Sequence, residues 1–276
     1  MVADQRPIGV FDSGVGGLTV VRAIIDQLPN EAITYFGDTA RCPYGPRPLE
    51  QIREFALEIA GHLLDQDVKA IVVACNAASS AALDDVAAAS PVPVVGVIDP
   101  AVRAAIRTTR SKRVGLIGTV ATVSSGAYER ALHRQDPDGS VELFAQACPL
   151  FVEFVERGDT TSPEVLATAE SYLALLRVAA VDTLILGCTH YPLLRAAIQH
   201  VMGEDVVLVS SAEETASAVY ELLTSNGLLR TAPEPSEHRF ESSGDSVRFA
   251  TLITHFMAPR FHHVSLQPAR SDQPWS

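Results

Sequence analysis

The sequence lacks the features that mark membrane proteins and disulfide-stabilised proteins. It has only four cysteines in 276 residues, and none forms a Cys-x-x-Cys pair, so zinc-ribbon and thioredoxin-type motifs are excluded. No apolar run approaches the roughly 20 residues of a membrane-spanning helix, and the N-terminus has no apolar signal core. We therefore expect a cytoplasmic protein with no membrane association, in a compartment where thiols stay reduced.

Basic charge is also scarce. The chain has 21 Lys and Arg residues against 33 Asp and Glu residues, which gives a net charge of -12. Non-specific binding to nucleic acid needs a basic surface, so we expect no nucleic-acid partner. The apolar fraction of 47% is ordinary for a globular protein, and the length allows one large or two medium domains.

Two stretches share one pattern, an apolar run that ends in a cysteine. Residues 69–79 contain Cys75 and residues 181–192 contain Cys188, and a helical pattern follows each. Short apolar runs indicate strands buried in a parallel sheet. Each cysteine is therefore predicted at the carboxyl end of a strand and near a helix N-terminus, where α/β sheets bind ligands. The competing interpretation is that each cysteine is a small buried hydrophobic residue.

A glycine-rich turn follows the first predicted strand. Residues 12–17 read Asp-Ser-Gly-Val-Gly-Gly and precede a helical pattern over 18–28. The glycines indicate close backbone approach to a ligand, such as an anion at the helix N-terminus. Their spacing differs from the dinucleotide fingerprint, so we do not expect NAD binding. A helix cap is the competing interpretation of Asp12 and Ser13.

Strands and helices alternate along the chain, which predicts an α/β fold. We expect two similar domains, each with a parallel-rich sheet flanked by helices, and an active site in the cleft between them. Residues 1–98 and 210–263 are assigned to the first domain and residues 99–209 to the second. Residues 264–276 are expected to form a loose tail.

Two thiols on opposite sides of a cleft suit stereoinversion at a carbon acid. One thiolate removes the α-proton from one face, and the other thiol returns a proton to the opposite face. An ordinary cysteine pKa of about 8.5 leaves little thiolate near pH 7, so we expect helix N-termini and an imidazolium to lower it. His190, two residues after Cys188, is the candidate imidazolium, although a lone histidine is more often structural.

From residue 8 to about 257 the chain resembles the glutamate racemase family. The segments that carry the resemblance are 11–20, 35–39, 43–45, 74–76, 118–122, 148–152 and 186–192. The resemblance implies two α/β domains, a glutamate substrate, no cofactor and no metal ion. It also implies a homodimer that makes D-glutamate for peptidoglycan.

The resemblance assigns site residues by motif position. Cys75 and Cys188 match the two acid/base thiols, with Asp12 assisting the first and His190 assisting the second. Thr119 and Thr122 are expected near the substrate carboxylate. The full set of substrate-binding residues that it implies is Asp12, Ser13, Tyr44, Gly45, Asn76, Ala77, Thr119, Thr122, Thr189 and His190.

The family also has an active-site glutamate after its Cys-Pro-x-x-Val segment. We prefer Glu156 for this role because it precedes a glycine-containing turn as the family residue does. Glu153 is the alternative, at a position where the family often has proline. Cys42 and Cys148 lack the strand-cysteine-polar context, so we expect both to be structural.

One position departs from the family. The family usually has threonine where this chain has Ala77. Loss of one hydroxyl hydrogen bond is expected to weaken substrate binding by roughly 0.5–1.5 kcal/mol.

Two other functions compete with glutamate racemisation. A racemase for aspartate or another amino acid would use the same two thiols. A non-catalytic amino-acid-binding protein would need neither thiol.

Overall fold

The computed structural model of the chain describes residues 4–231, 237–257 and 264–268. Its strands and helices alternate, which confirms the predicted α/β class. The described strands are β1 (Ile8–Asp12), β2 (Ile33–Gly37), β3 (Ala70–Val73), β4 (Val94–Gly96), β5 (Arg113–Gly118), β6 (Glu142–Ala147), β7 (Thr183–Gly187), β8 (Val207–Ser210), β9 (His238–Ser242) and β10 (Val264–Pro268).

Helices flank both sheets. The described α-helices are α1 (Leu18–Gln27), α2 (Leu49–Leu64), α3 (Asn76–Ala89), α4 (Ile98–Thr108), α5 (Val120–Ser124), α6 (Ala127–Gln135), α7 (Leu150–Glu156), α8 (Pro163–Val178), α9 (Arg195–Met202), α10 (Ser211–Ser225) and α11 (Ser246–Met257). A 3-10 helix, Tyr191–Leu194, precedes α9. None of the helices in the described ranges is long and apolar enough to cross a membrane.

The first domain is built on a parallel sheet with the strand order β10-β9-β2-β1-β3-β4. Its inner strands β1 and β3 are buried along their whole length, as short apolar runs predict. Phe11 pairs with Val73 at the carboxyl ends of these strands. The residues that follow, Asp12 and Cys75, therefore leave the sheet at the same edge.

The second domain is built on a parallel sheet with the strand order β6-β5-β7-β8. Gly118 at the end of β5 pairs with Gly187 at the end of β7. Because neighbouring parallel strands end together, Thr119 and Cys188 leave this sheet side by side. Both sheets thus present polar side chains at their carboxyl edges.

The prediction of a loose tail is wrong for Val264–Pro268. These residues form β10, which pairs in parallel with β9 from Val264 opposite His238 to Pro268 opposite Ser242. A sheet edge leaves backbone N–H and C=O groups without partners, and β10 supplies partners for β9. The rest of the predicted tail, residues 269–276, lies outside the described residues.

Candidate active site

Cys75 is the N-cap residue of α3, directly after β3. Its Sγ accepts the backbone N–H of Ala78 at 3.5 Å, and only 5% of the residue is exposed. A side chain that accepts this N–H satisfies one of the unpaired donors at the start of the helix. The small side chains of Ala77 and Ala78 leave the thiol room at the edge of the sheet.

The environment of Cys75 favours the neutral thiol. Burial raises the pKa of Cys75 to about 12, and the negative charge of Asp12 acts in the same direction. Hydrogen bonds from Ala78 and Ser13 lower this pKa but do not offset the loss of water. The prediction that the helix N-terminus lowers the thiol pKa is therefore wrong for Cys75. This thiol is a proton donor at neutral pH.

Cys188 directly follows β7 but does not cap an α-helix. The chain after it forms a turn and the 3-10 helix, and the predicted helix begins only at Arg195, as α9. Pro192 lies at the start of the 3-10 helix, where a missing N–H is tolerated. Instead of a helix N-terminus, Cys188 has a histidine neighbour, because its Sγ lies 3.8 Å from Nδ1 of His190.

His190 lies between Cys188 and Glu156. Its Nε2 is 3.5 Å from Oε1 of Glu156, and the ring is buried. Burial by itself lowers the pKa of His190, but the sulfur of Cys188 and the carboxylate of Glu156 outweigh it and raise the pKa to about 10. The ring is therefore an imidazolium at neutral pH. Glu153, the alternative glutamate, lies exposed on the same helix α7.

Asp12 is fully buried at the point where the two domains meet. Its Oδ2 accepts the backbone N–H of Gly14 at 3.1 Å, and its Oδ1 accepts the hydroxyl of Thr189 at 3.5 Å. The glycine-rich turn after Asp12 packs closely against the second domain. A Cβ on Gly16 would lie 2.3 Å from Oγ1 of Thr189 and 2.6 Å from Nδ1 of His190. The turn thus allows the second domain to approach closely.

A narrow cavity lies between the domains, and both thiols line it. Its lining residues are Ser13, Cys42, Pro43, Tyr44, Gly45, Cys75, Asn76, Ala77, Thr119, Val152, Cys188, Thr189 and His190. Three predicted site residues, Asp12, Thr122 and Glu156, are not among these lining residues.

Sequence reasoning missed Cys42, Pro43 and Val152, which line this cavity. Cys42 lies in the loop that continues into the Tyr44-Gly45 motif, and its structural role stays a prediction. That adjacency was the available signal. Cys148, in contrast, is fully buried, and its carbonyl accepts the hydroxyl of Tyr191 at 2.9 Å.

Tyr44 is held by a buried group of polar side chains. Its hydroxyl donates to Oδ2 of Asp38, which also pairs with Nε of Arg41 at 2.7 Å. The hydroxyl of Ser243, after β9, donates to the other oxygen of Asp38 at 2.7 Å. These contacts fix the loop that carries Tyr44 in the wall of the cavity.

Gly45 and Thr119 join the two domains beside the cavity. The backbone N–H of Ala121 donates to the carbonyl of Gly45 at 2.9 Å, and a Cβ on Gly45 would lie 3.0 Å from Cβ of Thr119. Thr119 is the N-cap of α5, and its Oγ1 accepts the backbone N–H of Thr122 at 3.3 Å. The hydroxyl of Thr119, which lies 3.0 Å from the hydroxyl of Thr122, is therefore at this end of the cavity.

Within residues 4–231, 237–257 and 264–268, no cluster of three or more His, Cys, Asp or Glu side chains is arranged to hold a metal ion.

Comparisons with known proteins agree with this geometry. A sequence model described as Asp/Glu/Hydantoin racemase matches residues 8–219. A glutamate racemase from Corynebacterium diphtheriae is 53% identical over 261 residues, which cover 95% of this chain and 97% of that protein.

Solved structures of glutamate racemases have the same fold. The crystal structure of an isoform from Bacillus anthracis matches with a TM-score of 0.91 at 41% identity, covering 97% of this chain and 98% of that one. A glutamate racemase from Francisella tularensis, in complex with D-glutamate, matches with a TM-score of 0.87 at 38% identity, covering 96% and 98%. The resemblance seen in the sequence is confirmed, and the chain belongs to the Asp/Glu/Hydantoin racemase family.

Proposed function

We propose that this chain is a cofactor-independent glutamate racemase that interconverts L- and D-glutamate and supplies D-glutamate for peptidoglycan. It is an amino-acid racemase, as its relatives are. The observation that carries the mechanism is that Cys75 and Cys188, one from each domain, line the same cavity. Two proton-transfer groups on opposite domains can reach opposite faces of one α-carbon.

In one direction, Cys188 acts as the base. The imidazolium of His190 stabilises its thiolate, which takes the α-proton of glutamate and becomes a thiol. The electron pair left on the α-carbon takes the proton of the Cys75 thiol from the other face, which leaves a thiolate at Cys75. The reverse direction exchanges the roles, with Asp12 assisting Cys75. General acid–base catalysis of this kind contributes roughly 10²- to 10⁴-fold to a rate.

The remaining polar residues bind and orient the substrate. We assign the substrate carboxylate to the hydroxyls of Thr119 and Thr122, which lie 3.0 Å apart beside the cavity. Glu156 acts through His190 and is a positioning residue. Ala77 lines the cavity and offers no hydroxyl, so the weaker substrate binding expected from the sequence stays part of the proposal.

We propose residues 1–98 and 210–263 as the first domain, extended by β10, and residues 99–209 as the second. The proposal includes a homodimer in the cytoplasm, with glutamate as the small-molecule partner and no nucleic acid. The bound D-glutamate of the Francisella tularensis protein supports this choice of substrate.

Deuterium wash-in with each glutamate enantiomer in D₂O tests the proposal. The wild type should place deuterium at the α-carbon and invert both enantiomers without an added cofactor. Cys75→Ser and Cys188→Ser should each abolish inversion, whereas Cys148→Ser, a control outside the cavity lining, should retain it. Exchange of only one enantiomer by a single variant assigns its remaining thiol to one face.

Two other results would contradict the proposal. Inversion of aspartate but not of glutamate would keep the mechanism and overturn the substrate. No exchange with any amino acid, together with ligand binding that survives both cysteine substitutions, would leave a non-catalytic binding protein.

A further inference from the structure

We infer that Tyr128 is a positioning residue that orients the side-chain amide of Asn76 so that its oxygen accepts the α-ammonium group of the substrate. This inference rests on the proposed function and names a second polar contact within the same site. Tyr128 was not among the residues that the sequence pointed to, and it lies in the second domain, opposite Asn76.

The two ends of the Asn76 amide have different environments. Nδ2 donates to the hydroxyl of Tyr128 at 2.9 Å. Oδ1 is buried and accepts no hydrogen bond from the protein. Asn76 as a whole is only 2% exposed, and it lines the cavity beside Cys75. Buried polar atoms nearly always have a partner, so an acceptor without one at a cavity wall indicates a partner supplied by a ligand.

The chemistry of glutamate selects the partner. Its two carboxylates have no hydrogen to donate at neutral pH, and only the α-ammonium group carries N–H donors. Oδ1 therefore matches the ammonium and repels both carboxylates. This contact lies one residue from Cys75, so it holds the α-carbon, to which the ammonium is bonded, near that thiol.

Tyr128 is suited to hold the amide in this orientation. It is fully buried in α6, and burial raises the pKa of its hydroxyl, so the side chain stays neutral. Without the hydrogen bond from Nδ2, rotation of the amide by half a turn would place donors where the structure has an acceptor. The bond also joins α3 of the first domain to α6 of the second, so it forms part of the closed cleft.

The test compares Tyr128→Phe with the wild type, using glutamate and glutarate. Glutarate has the same five carbons and both carboxylates but no ammonium group. We expect the KM for both glutamate enantiomers to rise about fivefold, as the loss of one hydrogen bond predicts. The kcat and the inhibition constant of glutarate should each change by less than about twofold, because neither depends on ammonium binding in this scheme.

Tyr172→Phe is the matched control. It also removes one tyrosine hydroxyl from the second domain, where that oxygen accepts the backbone N–H of Leu150 at 3.5 Å, away from the cavity. The KM for glutamate and the inhibition constant of glutarate should both stay unchanged in Tyr172→Phe. A joint rise of the glutamate KM and the glutarate constant in Tyr128→Phe would show a general structural role and overturn the inference. No change in either constant would overturn it as well.

Asn76→Asp keeps the inference testable if Tyr128→Phe does not fold. Both oxygens of the new side chain are acceptors, so one can face the Tyr128 hydroxyl and the other the ammonium. The preference for glutamate over glutarate should then rise, and a fall would contradict the inference. If the wild type has no racemase activity, calorimetric titration of the same proteins with the two ligands still tests the ammonium contact separately.

Discussion

His190 contacts both Cys188 and Glu156, with Nδ1 3.8 Å from the sulfur and Nε2 3.5 Å from the carboxylate. The ring thus lies between a nucleophilic thiol in the cavity and a carboxylate outside it. Cys75 has no such neighbour, and burial holds it as a thiol. The two thiols therefore have different electrostatic surroundings, an imidazolium beside Cys188 and an apolar, acidic environment around Cys75.

Substitution of His190 by asparagine should reduce kcat by about 100-fold or more, because Cys188 loses the cation that stabilises its thiolate. Circular dichroism of glutamate solutions measures the rate in both directions. His200→Asn, at an exposed histidine of α9, is the control and should retain full activity. Equal activity of the two variants would contradict the role of His190.

Glu156→Gln should move the alkaline limit of activity to lower pH. The carboxylate of Glu156 is one cause of the raised pKa of His190, so a neutral amide lowers that pKa from its value of about 10. A pH–rate profile of kcat measures the shift. Glu153→Gln removes the same charge from an exposed position on the same helix and should leave the profile unchanged. The reverse result would assign the role to Glu153.

The raised pKa of His190 also predicts how stability depends on pH. The pKa is about 10 in the folded chain, against an ordinary value near 6.5. Folding therefore takes up a proton between these values, and the stabilisation is complete below pH 6.5 and lost as the pH rises through about 10. Urea unfolding at a series of pH values should show wild type and His190→Asn converging as the pH rises. A constant difference would contradict the assignment.

Gly16→Ala should lower activity by about 100-fold, the cost of displacing catalytic groups by about 1 Å. A Cβ there would lie 2.3 Å from Oγ1 of Thr189 and 2.6 Å from Nδ1 of His190, so the domains cannot approach as closely. Gly61→Ala is the control, since its Cβ would meet nothing within 4 Å in the last turn of α2. That change should keep activity and stabilise the helix by about 0.5–1 kcal/mol. Full activity of Gly16→Ala would contradict the closed geometry.

Lys69 and Glu31, which come just before β3 and β2, form a buried ion pair with Nζ 2.5 Å from Oε2. Lys69→Met should lower the free energy of unfolding by about 3–5 kcal/mol, because it leaves a buried carboxylate without its cation. The double variant with Glu31→Gln should recover part of this loss. Urea denaturation measures both. A single variant as stable as the wild type would show that water reaches the pair.

Much of the fold could be predicted because short runs of neighbouring residues identify the strands. The apolar runs before Cys75 and Cys188 have the length and composition of buried parallel strands, and they occur where β3 and β7 occur. The short strand β10 could not be predicted, since its pairing with β9 depends on a sheet edge formed by distant residues.

The residues of the candidate site also fall into those that the sequence predicts and those that only the tertiary structure places there. Its thiols, His190 and the residues of the glycine-rich turn lie in short motifs that the sequence displays directly. Cys42 and Tyr128 carry no motif of their own, and only the meeting of the two domains places them at or behind the cavity.

The sequence by itself determined the fold class and the family and predicted the two thiols, because strand periodicity and motifs are properties of neighbouring residues. Tertiary structure alone decided the protonation of Cys75 and His190. Burial raises the pKa of Cys75 to about 12 despite its place at a helix N-terminus, and a carboxylate from α7 helps to keep His190 protonated beside Cys188. Desolvation and charge proximity act through space, so no local pattern in the chain encodes them.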